Sequence, residues 1–236
     1  MFGESIPIVL HRPLPSVPSS ITIIKDASNR YWASFVVEVK PKLLEPNNKA
    51  IGVDLGLASL IVTSDGEKIQ PPKFLKSALK RLRRLQRNLK NKIKGSNRLK
   101  KARLKVAKLH TRIADKRKDF LHKLSTRLVH ENQVICLENL NVKGMSKNKH
   151  LARSIADAGW GTFRLMLEAK ASMYNREVVI INRWFPSSQL CSNCGHNDGK
   201  KPLNIRQWTC SECGVNLDRD INAAKNILVA ARSAET

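Results

Sequence analysis

The strongest constraint on this chain is a stretch of 58 residues, Lys73 to His130, that carries 22 Lys and Arg but only two acids, Asp115 and Asp119. Apolar residues run through it on a helical period. Leu75, Leu79, Leu82, Leu89 and Ile93 recur at spacings of three, four or seven, and Leu99, Ala102, Val106, Leu109 and Ile113 follow at three or four after Gly95-Ser96-Asn97. Phe120, Leu124 and Leu128 continue the stripe. Two narrow apolar seams separated by a Gly-Ser-Asn turn predict an antiparallel, coiled-coil-like helical hairpin. Like charges four residues apart repel by roughly a few tenths of a kcal/mol per pair. A solvated face of mixed charge would avoid that cost, so a helix pair that accepts it is expected to neutralise a phosphate backbone. The candidate contacts are Lys80, Arg81, Arg84, Arg87, Lys100, Arg103, Lys108 and Arg112. Aromatics are scarce in this stretch, which favours backbone tracking over base stacking.

The rest of the chain is nearly neutral, carrying +4 of the total +24, so the basicity belongs to one element. Charge this lopsided points to a polyanionic partner. With 42% apolar and 26% charged residues, the 236-residue chain can bury an ordinary core, which excludes a wholly disordered basic tail. No apolar run approaches the roughly 20 residues of a membrane span. The opening MFGESIPIVLHRPLP lacks the order of a signal peptide. An intracellular, soluble protein of one or two domains is expected.

Four of the five cysteines, Cys191, Cys194, Cys210 and Cys213, form two C-x2-C knuckles in CSNCG and CSECG, fifteen residues apart. That spacing matches a four-thiolate zinc ribbon, in which the glycine after each second cysteine lets backbone amides turn toward sulfur. Disulfides are the alternative, disfavoured in a chain without secretion features. A complete thiolate set closes the tetrahedron, so one Zn2+ here is expected to be structural. His196 then reads as a loop residue, and Cys136, in the apolar run VICLENL, as a small core residue.

Three acids sit in apolar surroundings. Asp54 lies inside IGVDLGLASLIV, Glu138 ends the apolar run 134 to 137, and Asp220 belongs to LDRDINAAKNIL. An ionised carboxylate in an apolar strand is costly unless something pairs with it. Asp218 is the better helix cap, which leaves Asp220 inside the first turn. Each acid alone could be an edge residue or a cap. Together, on a protein suited to nucleic acid, they suggest oxygen ligands for two Mg2+ ions. Gly-rich phosphate loops, HExxH and nucleophilic Ser or Cys constellations are absent from the sequence.

IGVDLGLASL, ICLENLNVKGM, FPSSQLCSNCG, WTCSECG and LDRDINAAKNIL, in this order, resemble the RuvC-like nuclease domain of TnpB (OrfB) proteins encoded by insertion sequences, relatives of the type V CRISPR effectors. The resemblance covers about residues 20 to 231. It implies an α/β, RNase H-like (RuvC) mixed sheet with an inserted basic helical hairpin and an inserted zinc ribbon. It also implies a catalytic triad of Asp54, Glu138 and Asp220 binding two Mg2+ ions, and DNA cleavage directed by a transposon-derived guide RNA. Transposition or recombination in a prokaryotic cytoplasm or nucleoid follows, with a separate transposase of the same element as a further partner. A shortened, non-cleaving DNA- or RNA-binding accessory protein is the other expectation, because the start of the chain resembles only the last hairpin of the family's N-terminal barrel.

The expected segments are a β-hairpin remnant (1–45), a first core part (46–72), the basic helical hairpin (73–130), a second core part (131–185), the zinc ribbon (186–216) and a final core helix (217–236). Strands are expected at 21–25, 31–39, 49–54, 59–63, 133–138 and 177–182, with a third meander strand near Lys68 and a helix at 160–174. The stretch 141–150 is expected to be flexible. Ser187 and Ser188 read either as a polar turn before the first knuckle or as nucleic-acid contacts. Arg153, Arg164, Arg183 and Arg206 are weaker backbone-contact candidates, and Trp160 and Trp208 read as packing residues.

Overall fold

Short runs rich in Val and Ile, separated by turn residues, build a central sheet, and the chain's helices are set by apolar periodicity and by caps. The computed structural model describes residues 7–41 and 43–233; the ends of the expected first and last segments, residues 1–6 and 234–236, lie outside the described residues, as does residue 42. The elements in chain order are β1 (Ser20–Lys25), β2 (Tyr31–Val36), β3 (Ala50–Leu55), β4 (Ile61–Thr63), β5 (Lys68–Ile69), α1 (Phe74–Lys90), α2 (Asn97–Glu131), β6 (Val134–Glu138), α3 (Val142–Met145), α4 (Ala152–Ala158), α5 (Trp160–Tyr174), β7 (Glu177–Ile181), β8 (Gln207–Thr209), β9 (Asn216–Asp218) and α6 (Arg219–Ser233).

The chain forms two compact units. One comprises the segment to residue 41 together with 78–115, and the other comprises 42–77 together with 116–236. In the first, β1 and β2 form an antiparallel hairpin closed at Asp26–Arg30, where the Asp26 carboxylate accepts hydrogen bonds from the backbone N–H groups of Ser28 and Arg30. Its strands are largely exposed. Arg30 also pairs with Asp115 of α2 at 2.7 Å. The α1-to-α2 turn falls where Gly95 adopts φ 85°, and Ser96 Oγ caps α2 by accepting the Leu99 N–H. The apolar seam is buried at Leu82, Leu99, Ala102, Leu109 and Ile113, and all eight basic contact candidates face solvent.

The second unit holds the five-stranded sheet in the order β5-β4-β3-β6-β7. β3, β4 and β5 form an antiparallel meander, whereas β3, β6 and β7 run parallel. One face is covered by a core that includes Leu60, Ile61, Leu121, Leu128, Ile135, Ile155, Trp160, Phe163 and Leu167. Each such fully buried side chain contributes about 1.5–3 kcal/mol. The other face is covered by α6, whose Ile227 and Ala231 pack with Cys136 and Ile181. The helix lies so close that a Cβ on Gly52 of β3 would stand 2.0 Å from the Ala224 carbonyl oxygen.

The stretch 141–150 is not a plain flexible loop. It contains α3, capped by Asn141 Oδ1 accepting the Gly144 N–H, and α4 follows directly. α4 supplies what the sequence before α1 lacks, a helix cap. The α4 residue Asp157 accepts hydrogen bonds from the N–H groups of Leu75 and Lys76 and is held by Arg117 at 2.9 Å.

Candidate active site and metal centre

The three acids meet at one end of the sheet. Val53 pairs with Leu137, so the next residues of these parallel strands, Asp54 and Glu138, are neighbours across β3 and β6. Gly52 and Asp54 project from the same face of β3, because side chains two apart in a strand share a face. α6 rests on that face at Ala224, and Asp220 lies one helical turn earlier, toward Asp54. Asp218 makes this turn possible. Its Oδ1 accepts the N–H groups of both Asp220 and Ile221 at 3.1 Å, the capping role expected of it. Lys68 pairs with the other Asp218 oxygen.

Electrostatics follow from this convergence. Burial, then the charges of Asp220 and Glu138, push the Asp54 carboxyl up to about 7, while Arg219 and Arg206 oppose the rise. Burial also raises Glu138. Asp54 and Glu138 therefore carry negative charge at a cost, which a divalent cation would relieve. Among the described residues, the four cysteine thiols form a separate cluster whose ligand atoms all lie within 4.8 Å of one another.

Arg206 is the residue that sequence reasoning undervalued. In the sequence it reads as one more backbone-contact candidate, yet its guanidinium donates to both oxygens of Asp220, at 3.1 and 3.4 Å. It sits just before β8, in the cysteine-bearing segment, so that segment reaches the acid cluster. The buried Arg219 donates to the carbonyls of Lys201, Pro202 and Ile205 and holds the same loop. Arg164 pairs with Glu168 and with Asn139, whereas Arg153 and Arg183 are exposed.

The four thiols form a site that can hold a metal ion such as zinc. Sγ of Cys191 lies 3.7 Å from that of Cys213, and Sγ of Cys194 lies 3.7 Å from that of Cys210. A tetrahedron with arms of about 2.3 Å has edges of about 3.8 Å, so the spacing suits four Zn–S bonds. It is far beyond the roughly 2.05 Å of a disulfide. The two knuckles repeat each other. Gly195 and Gly214 adopt φ 79° and 68° and donate to the carbonyls of Cys191 and Cys210. The next amides, of His196 and Val215, turn toward the sulfurs of Cys194 and Cys213. The Val215 N–H, with the Asn193 amide, pulls the Cys213 thiol down to about 6, whereas burial and neighbouring thiols push Cys194 up to about 12 and raise Cys210.

Two asparagines on α6 tie the knuckle to the helix that carries Asp220. Asn222 and Asn226, both buried, each donate to the carbonyls of Ser187 and Leu190, and Asn222 Oδ1 accepts the Ser192 N–H at 2.8 Å. Their spacing of four on an apolar helix face was the available signal, since buried amides need partners. Ser187 is only 7% exposed, which removes its side chain from the candidate nucleic-acid contacts; Ser188 is half-buried. Trp160 is buried in the sheet core and Trp208 packs beside Cys191 and Cys210.

Known proteins share sequence and fold with this chain. Residues 34–149 match the OrfB_IS605 family, described as "Probable transposase", and residues 160–227 match the Cas12f1-like TNB domain. A Streptomyces pristinaespiralis protein named "Putative RNA-guided DNA endonuclease" is 48% identical over 98% of this chain and 58% of its own length. InsQ of Escherichia coli K12, named in the same way, is 30% identical over 94% of this chain and 59% of its own length. The chain thus spans less than two thirds of these relatives. A TnpB-like protein of Methanocaldococcus jannaschii is 28% identical over 82% of this chain and 73% of its own length. Among solved structures, a CRISPR-Cas12f ternary complex aligns with TM-score 0.57 at 22% identity, covering 85% of this chain and 42% of that one. A Cas12f1-sgRNA-target DNA complex aligns with TM-score 0.54 at 17% identity, covering 88% and 55%. The mixed α/β fold resembles that of Cas12f.

Proposed function

Because the chain belongs to the TnpB (OrfB) family of transposon-associated nucleases, we propose that it is an RNA-guided, Mg2+-dependent DNA endonuclease with an RNase H-like, RuvC-type active site. The observation that carries this reading is the convergence of Asp54, Glu138 and Asp220 at one end of the mixed sheet. These carboxylates would hold two Mg2+ ions. Bound there, the ions would supply an activated water and stabilise the leaving oxygen of the cut strand. The chain's own groups prepare the site. Glu138 stands beside Asp54 in register, Asp218 fixes the first turn of α6 so that Asp220 faces them, and Arg206 offsets the charge of Asp220.

The four cysteines hold one structural Zn2+ in this reading, and the exposed bases of α1 and α2, with Ser188, contact DNA or a transposon-derived guide RNA. The inserted hairpin and inserted ribbon are assigned on the same basis, as is action in transposition beside a separate transposase. The test is to purify the protein from its native host, sequence the RNA that comes with it and supply DNA matching that RNA. A discrete transposon-end RNA and Mg2+-dependent cutting of matched DNA are expected. Purified protein with no such RNA and no cutting would overturn the reading.

One observation favours a second reading. Arg206 pairs with both oxygens of Asp220, so this carboxylate has a cationic partner from the chain itself, which a nucleic-acid-binding accessory protein that does not cleave would retain. That protein would bind DNA or RNA with a steep salt dependence, form no product, and be indifferent to substitution of the three acids.

A further inference from the structure

Trp184 is 83% exposed, in contrast to Trp160 and Trp208, which are 2% and 7% exposed. Large aromatic side chains are seldom left so open without a partner. The turn that presents it is firmly held. Asn182 Oδ1 accepts the Trp184 N–H at 2.9 Å, and the Asn182 carbonyl accepts the Phe185 N–H at 3.1 Å. Phe185 packs inward against the cluster of Cys136, Ile181 and Ile227. Two residues later the Ser187 carbonyl is gripped by Asn222 and Asn226 of α6. The indole is therefore offered from a fixed support.

Its position gives it a use. Ile181, the last residue of β7, pairs with Glu138. Trp184 follows by three residues, roughly 10 Å of chain at most. Arg183 beside it is also exposed and adds a cation suited to phosphate. Aromatic side chains are scarce among the basic helices, which offer charge but little to stack on. A π-face that accepts any base, next to a cation, is how proteins hold unpaired strands without reading sequence.

We infer that Trp184 is a stacking platform for an unpaired base of the nucleic-acid strand led to Asp54, Glu138 and Asp220. This rests on the nuclease reading for the identity of the strand, but the stacking is measurable without cleavage. The test uses the full chain in an Asp54→Asn background, with Trp32→Phe so that Trp184 is the one strongly exposed indole among the described residues. The probe is a single-stranded deoxythymidine 20-mer, compared with a 20-mer of the same length made of abasic units. The 20-mer is expected to quench the Trp184 emission, and W184A to weaken its binding about tenfold, with W184F restoring most of it. On the abasic strand, W184A and parent are expected to bind alike.

Equal weakening on both strands, or no weakening on either, would overturn the proposal, and so would a W184A effect confined to oligomeric state. Failure of the nuclease reading is seen separately, as absence of Mg2+-dependent cutting by the Asp54 parent, and leaves the base-dependent difference intact.

Discussion

At the residue scale the decisive feature is a carboxylate held where its charge is disfavoured. Asp54 keeps its proton to about pH 7 in the fold but releases it near 3.8 when unfolded. The folded state therefore binds more protons across that interval, and its stability falls as pH rises from about 4 to 7. Metal-free protein should lose a few kcal/mol, as an order of magnitude, over this range. Thermal melts of parent and Asp54→Asn across pH test it, and the variant should show a shallower slope, with the remainder coming from Glu138, which burial also raises. Mg2+ should raise the parent's melting temperature more at pH 8 than at pH 5, because the cation relieves a charge present only at the higher pH. All three acids were legible in the sequence as carboxylates in apolar runs. Arg206 was not, because a basic residue in a polar loop resembles any solvated arginine until the fold brings Asp220 beside it.

At the scale of elements, α6 and the cysteine segment behave as one piece. Gly52→Ala should force α6 off the sheet, since its Cβ would meet the Ala224 carbonyl and the Leu228 backbone nitrogen. Melting and cleavage assays should show a loss of at least about 2 kcal/mol together with reduced activity. Asn226→Ala removes a buried amide donor to two carbonyls and should cost about 1–3 kcal/mol in denaturant unfolding. Purified protein should contain one zinc per chain, and stripping it should unfold the knuckles; a folded protein with far less zinc would contradict the assignment. The sheet strands and α5 were legible because alternation and helical periodicity mark them. α4 was not, since its seven residues make too short a pattern. The cap on α1 was equally hidden, being a contact between Asp157 and residues about 80 positions away.

At the scale of the whole molecule, a nearly neutral fold carries a concentrated positive field on two helices. Nucleic-acid affinity should fall steeply with salt, and neutralising two exposed bases together, as in Arg84→Gln with Arg87→Gln, should lower the slope of log K against log salt by about 2. Filter binding across a salt series measures it, and an unchanged slope would move the contact elsewhere. The overall charge pattern and the order of motifs were legible along the chain, whereas the convergence of distant acids needed the parallel pairing of β3 with β6 and the packing of α6. The most direct measurement compares the cleavage rate of Asp54→Ala with that of the parent on matched DNA in Mg2+. The account predicts cutting by the parent and a rate at least about a hundredfold lower in the folded variant. Equal rates would contradict it.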